Sequence, residues 1–552
     1  MPDQPREGPA ASESGLSLWV WSLLGLFAAC VPGALLVVEK SGSALSPAPL
    51  VLVILAALAG YLVAVRVVIR DRFGQRPRRA RLLVWAVAAG LFLGSVAVLF
   101  AFRPPPPPLT RMSGARDVAV VGFAGHDGRP DKRVLADVAA DFTHAMAGRI
   151  PTAGAVRDYT GEVSLPLTQL EEAHRDALEH ETSRFADESD AEIVVSGLVA
   201  TDPAGQTTLR PAVYVRADQV PDAPELASWF LGAPILMARG WESAQGRAQL
   251  RTELTRQIGT LAQFMDALDT WRNGRPARAV QILNGLLDPT RRSGTDSLVP
   301  LDLLRLFHGH AAEAQAVGEP ADGRQKLLQQ ARTDYLTIDD GSAAGRRAAL
   351  SLQYNAYLRA RNGAQGCEPG NVNGRELADI SRALRALAQD RRLGELGRLR
   401  ATVNLAQAEQ CRITAHLAKD NGAVQRAVAP ALKAPDITGS TDIRALAAAI
   451  AAVNANDRGD VTSAIRYIRL AIANGQDLQQ RAVWHGLLAT WSLARCDLRT
   501  GRTATQDALA QLAAAERAGR TSPQLHHQLE QAFTTQLSGA ERRCGAVGQE
   551  TR

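Results

Sequence analysis

The hydrophobic positions of this 552-residue chain fall into three regimes. Residues 16–102 hold three long apolar runs, Leu16–Val38, Leu50–Ile69 and Leu82–Phe102. Residues 116–235 alternate short apolar runs with helical patterns. Residues 236–546 show helical periodicity alone. The middle regime opens with a predicted strand at Asp117–Phe123, then a helix at Asp131–Arg149. The apolar positions of that helix, Val134, Leu135, Val138, Phe142, Ala145 and Met146, follow a 3.6-residue period. A short strand at Ala155–Tyr159 comes next, then a second helix over Pro166–Glu188, striped by Leu167, Leu170, Ala177, Leu178 and Phe185. Two strands, Glu192–Val199 and Thr207–Val215, close the unit around a "DPAG" turn. The order βαβαββ predicts a mixed sheet with helices on one or both faces.

Beyond Gly240 the strand patterns vanish. Leu377, Ile380, Leu384 and Leu387 form one helical stripe, and Leu396, Leu399 and Val403 another. Two segments share an internal pattern: "GDVTSAIRYIRLAIANG" from Gly459 and "WRNGRPARAVQILNGLL" from Trp271. Each places a glycine (Gly459, Gly274) at a helix end and a small residue five positions later (Ala464, Ala279). Packed apolar positions follow, Ile468, Ala471 and Ile472 in one, Leu283 and Leu287 in the other. These segments resemble the second half of a tetratricopeptide repeat. "ARTDYLTIDDGSAAGRRAALSLQYNAYLRA" resembles the junction of one such repeat with the next. The other helices match less well, so the array implied is degenerate. Upstream, "DVAVVGF", the two helices and "AEIVVSGLVATDPAGQTTLRPAVYV" resemble the Tol-B-type amino-terminal α/β domain, which often precedes tetratricopeptide repeats. That resemblance implies a fold and carries no catalytic residues.

The three apolar runs each have about the 20 residues needed to cross hydrocarbon. Trp19, Trp21 and Trp85 near run ends suit the headgroup layer. The loop Arg70–Arg81 carries six arginines against one aspartate, whereas the loop between the first two runs has only Lys40 beside Glu39. Arginine-rich short loops stay cytoplasmic. The sequence therefore predicts a multi-pass plasma-membrane protein: a cytoplasmic tail over 1–15, three transmembrane helices over 16–38, 50–69 and 82–102, and an extracytoplasmic remainder. A proline-rich linker over 103–115 spaces the α/β domain (116–235) and the helical repeats (236–546) from the lipid bilayer. The fold class expected is thus multi-domain, with a three-helix transmembrane segment, a small α/β domain and an all-α solenoid. Cys367, Cys411, Cys496 and Cys544 allow two disulfides in an oxidising compartment, or four unrelated thiols. Of three pairings, sequence neighbours are favoured, because each closes a loop within a local helical array.

Charge excludes one partner class. Residues 1–111 carry 11 Lys/Arg and 5 Asp/Glu, leaving 51 of each sign in the rest, so the bulk of the chain has no field for nucleic acid. Chemistry-bearing motifs are equally scarce. Gly122, Gly125 and Gly128 follow a strand but are spaced three apart, where a dinucleotide loop needs its first two glycines two apart. Arg129-Pro130-Asp131 stands where a P-loop needs Gly-Lys-Ser/Thr. The glycines read as loop punctuation. His174 and His180 lie six apart, about 240° around a helix, and cannot share a metal. Glu171 and His174 have the spacing of half a carboxylate–His site, with no second half. His308 and His310 point to different faces, and His526-His527 reads as exposed.

No catalytic, cofactor-binding or metal site is expected, and no cofactor. The functional expectation is a membrane-anchored scaffold or adaptor that binds a protein or peptide partner in the groove of a repeat array. Its repeat-packing residues are Gly274, Ala279, Gly459, Ala464 and Ala471. The alternatives are an envelope ligand sensor and an enzyme with an unrecognised site.

Overall fold

A computed structural model of the chain describes residues 109–550, except 115–116, 126–131, 148–154, 161, 164, 166–174, 221–222, 289–297, 318, 362–365, 421, 436–438, 519–520 and 522. The expectation of a three-span membrane segment, and of a multi-pass plasma-membrane location, is corrected here. No helix among the described residues is long and apolar enough to cross a membrane. The two longest described helices, of 29 and 28 residues, show why: charges such as Arg251, Glu253, Asp266 and Asp269 punctuate the first, and Glu530, Glu541 and Arg542 the second. The three apolar runs, the 1–15 tail and the prolines at 104–108 lie outside the described residues.

Seven strands build one sheet in the order β3-β1-β4-β5-β6, with β2 beside β4 and β7 beside β5. The strands are β1 (Val118–Val120), β2 (Ala124–Gly125), β3 (Val156–Asp158), β4 (Ile193–Thr201), β5 (Thr207–Val215), β6 (Ser228–Leu231) and β7 (Ile235–Leu236). β1 pairs in parallel with β3 and β4, whereas β5 runs antiparallel to β4, β6 and β7. The β4–β5 register, Ile193↔Val215 through Thr201↔Thr207, closes on the "DPAG" turn. There Gly205 takes φ +79° and the Asp202 carboxylate accepts the Gln206 amide at 2.8 Å. The βαβαββ expectation holds β1, β3, β4 and β5 and omits β2, β6 and β7. Gly125, expected as loop, pairs with Val199 in β2, and the Gly122 carbonyl accepts the Ser196 hydroxyl.

Period-two alternation sends each strand's side chains to two cores. Val118, Val120, Ile193, Val195, Val213 and Val215 face α1 (Lys132–Ala147) through Leu135, Val138, Phe142 and Met146. Ala119, Val121, Val194, Ala212 and Tyr214 face α2 (Arg175–Ser189) through Leu178, Phe185 and Ala186. Ala177, placed in the apolar stripe from sequence, is exposed.

Thirteen further helices follow among the described residues. They are α3 (Ala244–Arg272), α4 (Pro276–Leu287), α5 (Leu301–Ala316), α6 (Ala321–Leu336), α7 (Ala343–Ala360), α8 (Gly374–Leu387), α9 (Gly394–Thr414), α10 (Ala423–Leu432), α11 (Ser440–Asp457), α12 (Val461–Asn474), α13 (Leu478–Ala494), α14 (Leu498–Arg517) and α15 (Pro523–Glu550). Each odd-numbered helix from α3 to α13 packs on its even-numbered successor. Helices α5, α7, α9 and α11 also contact one another in turn, so the pairs stack.

The ends of the odd helices explain the sequence pattern. In α3, α11 and α13 the chain leaves through a left-handed residue, Gly274, Gly459 or Cys496, at φ +73°, +80° and +57°. The next amide then bonds back five residues, Arg275 to Thr270, Asp460 to Ala455 and Asp497 to Ser492. Five positions after the left-handed residue come Ala279, Ala464 and Gly501, all buried against the preceding helix. Ala464 and Ala471 are fully buried beside Ile468. Ala464→Leu is expected to cost about 1–3 kcal/mol by overpacking, whereas Leu at the exposed neighbour Thr462 is expected to cost little. Equal melting temperatures for the two variants would contradict this packing.

The disulfides join Cys367 to Cys411 and Cys496 to Cys544, the sequence neighbours favoured above. The first ties the α7–α8 connection to α9, and the second ties the end of α13 to α15.

Candidate functional site on the inner face of the helical array

The sheet does not stand apart from the helices. The core on its α1 face continues through Leu250, Leu254, Ile258 and Leu261 of α3 into α5, α6 and α7. Residues 109–552 consequently form one compact unit. The inner face of the array, defined as the face turned to the sheet, carries buried charged side chains, Arg347 and Arg400 among them.

The element inserted there is the β5–β6 connection, residues 216–227. Two 3-10 turns shape it, Ala217–Gln219 and Pro224–Leu226, the second with Pro224 supplying a preset φ at its first position. Ala217, Val220, Ala223, Leu226 and Ala227 are all buried, although they belong to a loop. Loops ordinarily run over the surface, because buried backbone needs partners. The helical array provides them. Gly439, at φ +86°, comes so close that an added Cβ would lie 2.8 Å from Ala217 Cβ and 3.0 Å from Pro224 Cβ.

Three arginines, one each from α3, α7 and α9, hold this region. Arg272 donates to the Glu192 carboxylate at 2.5 Å and to the Gln219 side-chain oxygen at 2.9 Å. Arg347, only 2 % exposed, donates Nε to the Glu225 carbonyl at 2.9 Å and Nη2 to the Ala227 carbonyl at 3.3 Å and the Glu179 carboxylate at 3.4 Å. Arg400, 7 % exposed, places Nε 3.4 Å from the Glu225 carboxylate, with its guanidinium 5.7 Å from the Tyr354 ring. Ser228 closes the network on Glu179. Burial pushes the Glu225 carboxyl above the ordinary range, while Arg400 and then Arg347 pull it down. One Glu225 oxygen, Oε2, has no protein partner.

Behind the arginines lies a second buried polar group on α5, α6 and α7. Asn355 donates to the Glu313 carboxyl at 2.9 Å and to the Leu328 carbonyl at 3.0 Å. His310 hydrogen-bonds Ser351 at 2.7 Å, and its ring meets Tyr335 edge-on. Burial pushes Glu313 up to about 8, and burial with the nearby Arg400 charge pulls His310 down to about 3. The sign of the Glu313 effect follows from its unfolded value of about 4.3. The folded chain takes up a proton there, so this contribution is fully present below that value and is lost as pH rises toward 8. His310 acts oppositely, favouring the fold above about 6.5 and losing that contribution as pH falls toward 3. Glu313→Gln keeps an acceptor for Asn355 and cannot ionise. Its melting temperature is expected to rise relative to that of the parent between pH 5 and 8. A parallel fall in both proteins would contradict the assignment.

The sequence-predicted residues are dispersed. His308 bonds Asp334 on α6 at 2.7 Å, whereas His310 turns to α7, so the two do occupy different faces. His526 is half-buried against Glu516, His527 is exposed, and His180 is exposed on α2. Glu171, His174, Gly128, Pro130 and Asp131 lie outside the described residues. No group of three or more His, Cys, Asp or Glu among the described residues could hold a metal ion. Ala279, Ala464 and Ala471 are buried between helices, Gly274 and Gly459 end helices in the left-handed region, Gly459 in the open, and none of the five lines the inner site.

The inner site itself escaped sequence reading, yet a signal was present. Arg347 and Arg400 interrupt apolar stripes, Arg347 between Ala344 and Leu350, Arg400 between Leu396 and Val403. A charge on a packing face requires a buried partner. No protein-family model matches the chain, and no curated protein matches it either.

Proposed function

We propose that the chain is a protein-binding scaffold: a tetratricopeptide-like array whose inner face takes a tightly turned, carboxylate-bearing peptide segment, with its own Tol-B-like sheet domain as the resident occupant. The observation that carries this reading is the Arg347 and Arg400 pair. Together they meet two backbone carbonyls and one side-chain carboxylate of a single short segment. Backbone carbonyls supply affinity that is indifferent to sequence, and a carboxylate between arginines supplies selectivity. A partner recognised this way would present an acidic residue next to small and apolar ones, as in Pro224-Glu225-Leu226-Ala227.

The test places a third guanidinium in the site. Glu225→Arg sets like charges together and is expected to expel residues 216–227 from the inner face. A labelled synthetic peptide of residues 216–230 should then bind the variant saturably, and the same peptide with Gln in place of Glu225 should bind at least tenfold more weakly, a loss of about 1.4 kcal/mol. The parent, whose site is filled, should bind neither. A variant that keeps its helical circular dichroism and binds neither peptide would refute the reading.

A further inference from the structure

We propose that the Cys496–Cys544 disulfide is a redox-controlled latch on α15, and that its reduction frees α15 to dock on the α13–α14 pair of a second copy of this chain. The latch holds a helix that buries few of its described side chains. Among residues 526–544 only Ala540 is fully buried, and the half-buried positions include the stripe His526, Leu529, Phe533, Leu537 and Cys544. The preceding helix, α14, by contrast buries Gly501, Ala504, Thr505, Ala508, Leu512 and Ala515. The seat for the stripe is specific. Phe533 lies against Gly486 of α13 so closely that an added Cβ would be 2.4 Å from its ring. Thr490 hydrogen-bonds Gln536 at 3.1 Å, and Arg502 pairs with Glu541 at 2.7 Å.

The two disulfides differ in access. Cys411 is buried on α9 with Cys367 half-buried beside it, whereas Cys496 is exposed at the left-handed residue that ends α13. A dithiol reductant therefore reaches the second bond first. One of its thiolates attacks Cys496 Sγ and forms a mixed disulfide as the Cys544 thiolate leaves and takes a proton. The second reductant thiol then closes the reductant's own disulfide and releases Cys496 as a thiol. Two electrons pass from the dithiol to the protein, and α15 is left on its non-covalent contacts alone. The seat on α13 is shaped for this helix, and the α15 of a second copy presents the identical stripe. Exchange between copies thus reproduces every contact, which commits the occupant to a second copy of this chain.

The experiment mixes isotopically light and heavy full-length chains, treats them with graded dithiothreitol, reoxidises them, and identifies disulfide-linked peptides by mass spectrometry. Light–heavy Cys496–Cys544 pairs are expected after reduction mild enough to leave Cys367–Cys411 intact, and none without reduction. Phe533→Ala empties the Gly486 seat, which holds α15 alike within and between copies, and is expected to lower severalfold the dithiothreitol concentration at which mixed pairs first form. Pairs confined to single copies would overturn docking on a second copy. Loss of both disulfides at the same reductant concentration would overturn the latch, and an unchanged reductant requirement in Phe533→Ala would overturn the seat.

Discussion

Glu225→Leu is expected to destabilise the chain by about 3–5 kcal/mol, the cost of removing one member of a buried ion pair. Arg400 is nearly buried and faces the Glu225 carboxylate, while Arg347 holds the backbone on the same segment. With leucine at 225 the Arg400 guanidinium loses that partner and cannot discard its proton, because its pKa lies far above any working pH. The converse change should be milder. Arg400→Leu leaves Glu225 buried, but a carboxyl already pushed upward by burial can neutralise by taking a proton. The double variant should recover part of the Glu225→Leu loss, since two apolar side chains replace an ion pair. Chemical denaturation of the four proteins gives the cycle directly. Additive single losses, or Arg400→Leu as the worse of the two, would show that the pair is not coupled as its geometry implies.

The second large effect concerns Cys367–Cys411. Replacing both cysteines by serine opens a loop spanning 44 residues. Chain entropy alone assigns such a loop about 4 kcal/mol, and removal of native disulfides costs about 2–5 kcal/mol. The cross-link joins the α7–α8 connection to α9, in the middle of the array, beside Leu377, Ile380, Leu399 and Val403 in one core. Its loss is therefore expected to lower the melting temperature of the whole unit. Cys496–Cys544 spans a similar 48 residues, so the entropic term is nearly equal. Its serine variant should nonetheless change global melting less, because α15 can detach locally while the rest remains folded. Calorimetry of the two double-serine variants separates these cases. Equal shifts would mean that position in the array does not matter.

How much of this was legible in the sequence depends on how local each signal is. The helix ends at Gly274 and Gly459 were readable because a left-handed exit needs glycine for steric reasons confined to a few residues. The exits at His416 and Cys496 are not readable in this way, since each fills the position against propensity and gives no glycine to see. Strands β4 and β5 were readable from their apolar runs and the turn between them. β6 and β7 are four and two residues long and follow the proline-containing stretch 216–227, which reads as a surface loop. That stretch becomes buried only because α7, α9 and α11 cover it, and contacts across more than a hundred residues leave no local periodicity. The repeat segments suggested an open groove lined by the array alone. The inner face instead carries the sheet domain, and the arginines on its packing stripes were the one clue.

Amide hydrogen exchange at Gln219, Val220, Ala223, Leu226 and Ala227 tests the central claim most directly, because each of these amides closes a short turn within the segment. If the array grips the segment, Val220, Leu226 and Ala227 should exchange as slowly as the core strands β4 and β5. Exchange as fast as that of the exposed Asp202–Gln206 turn would contradict the account, leaving the inner face open and its arginines without the occupant assigned to them.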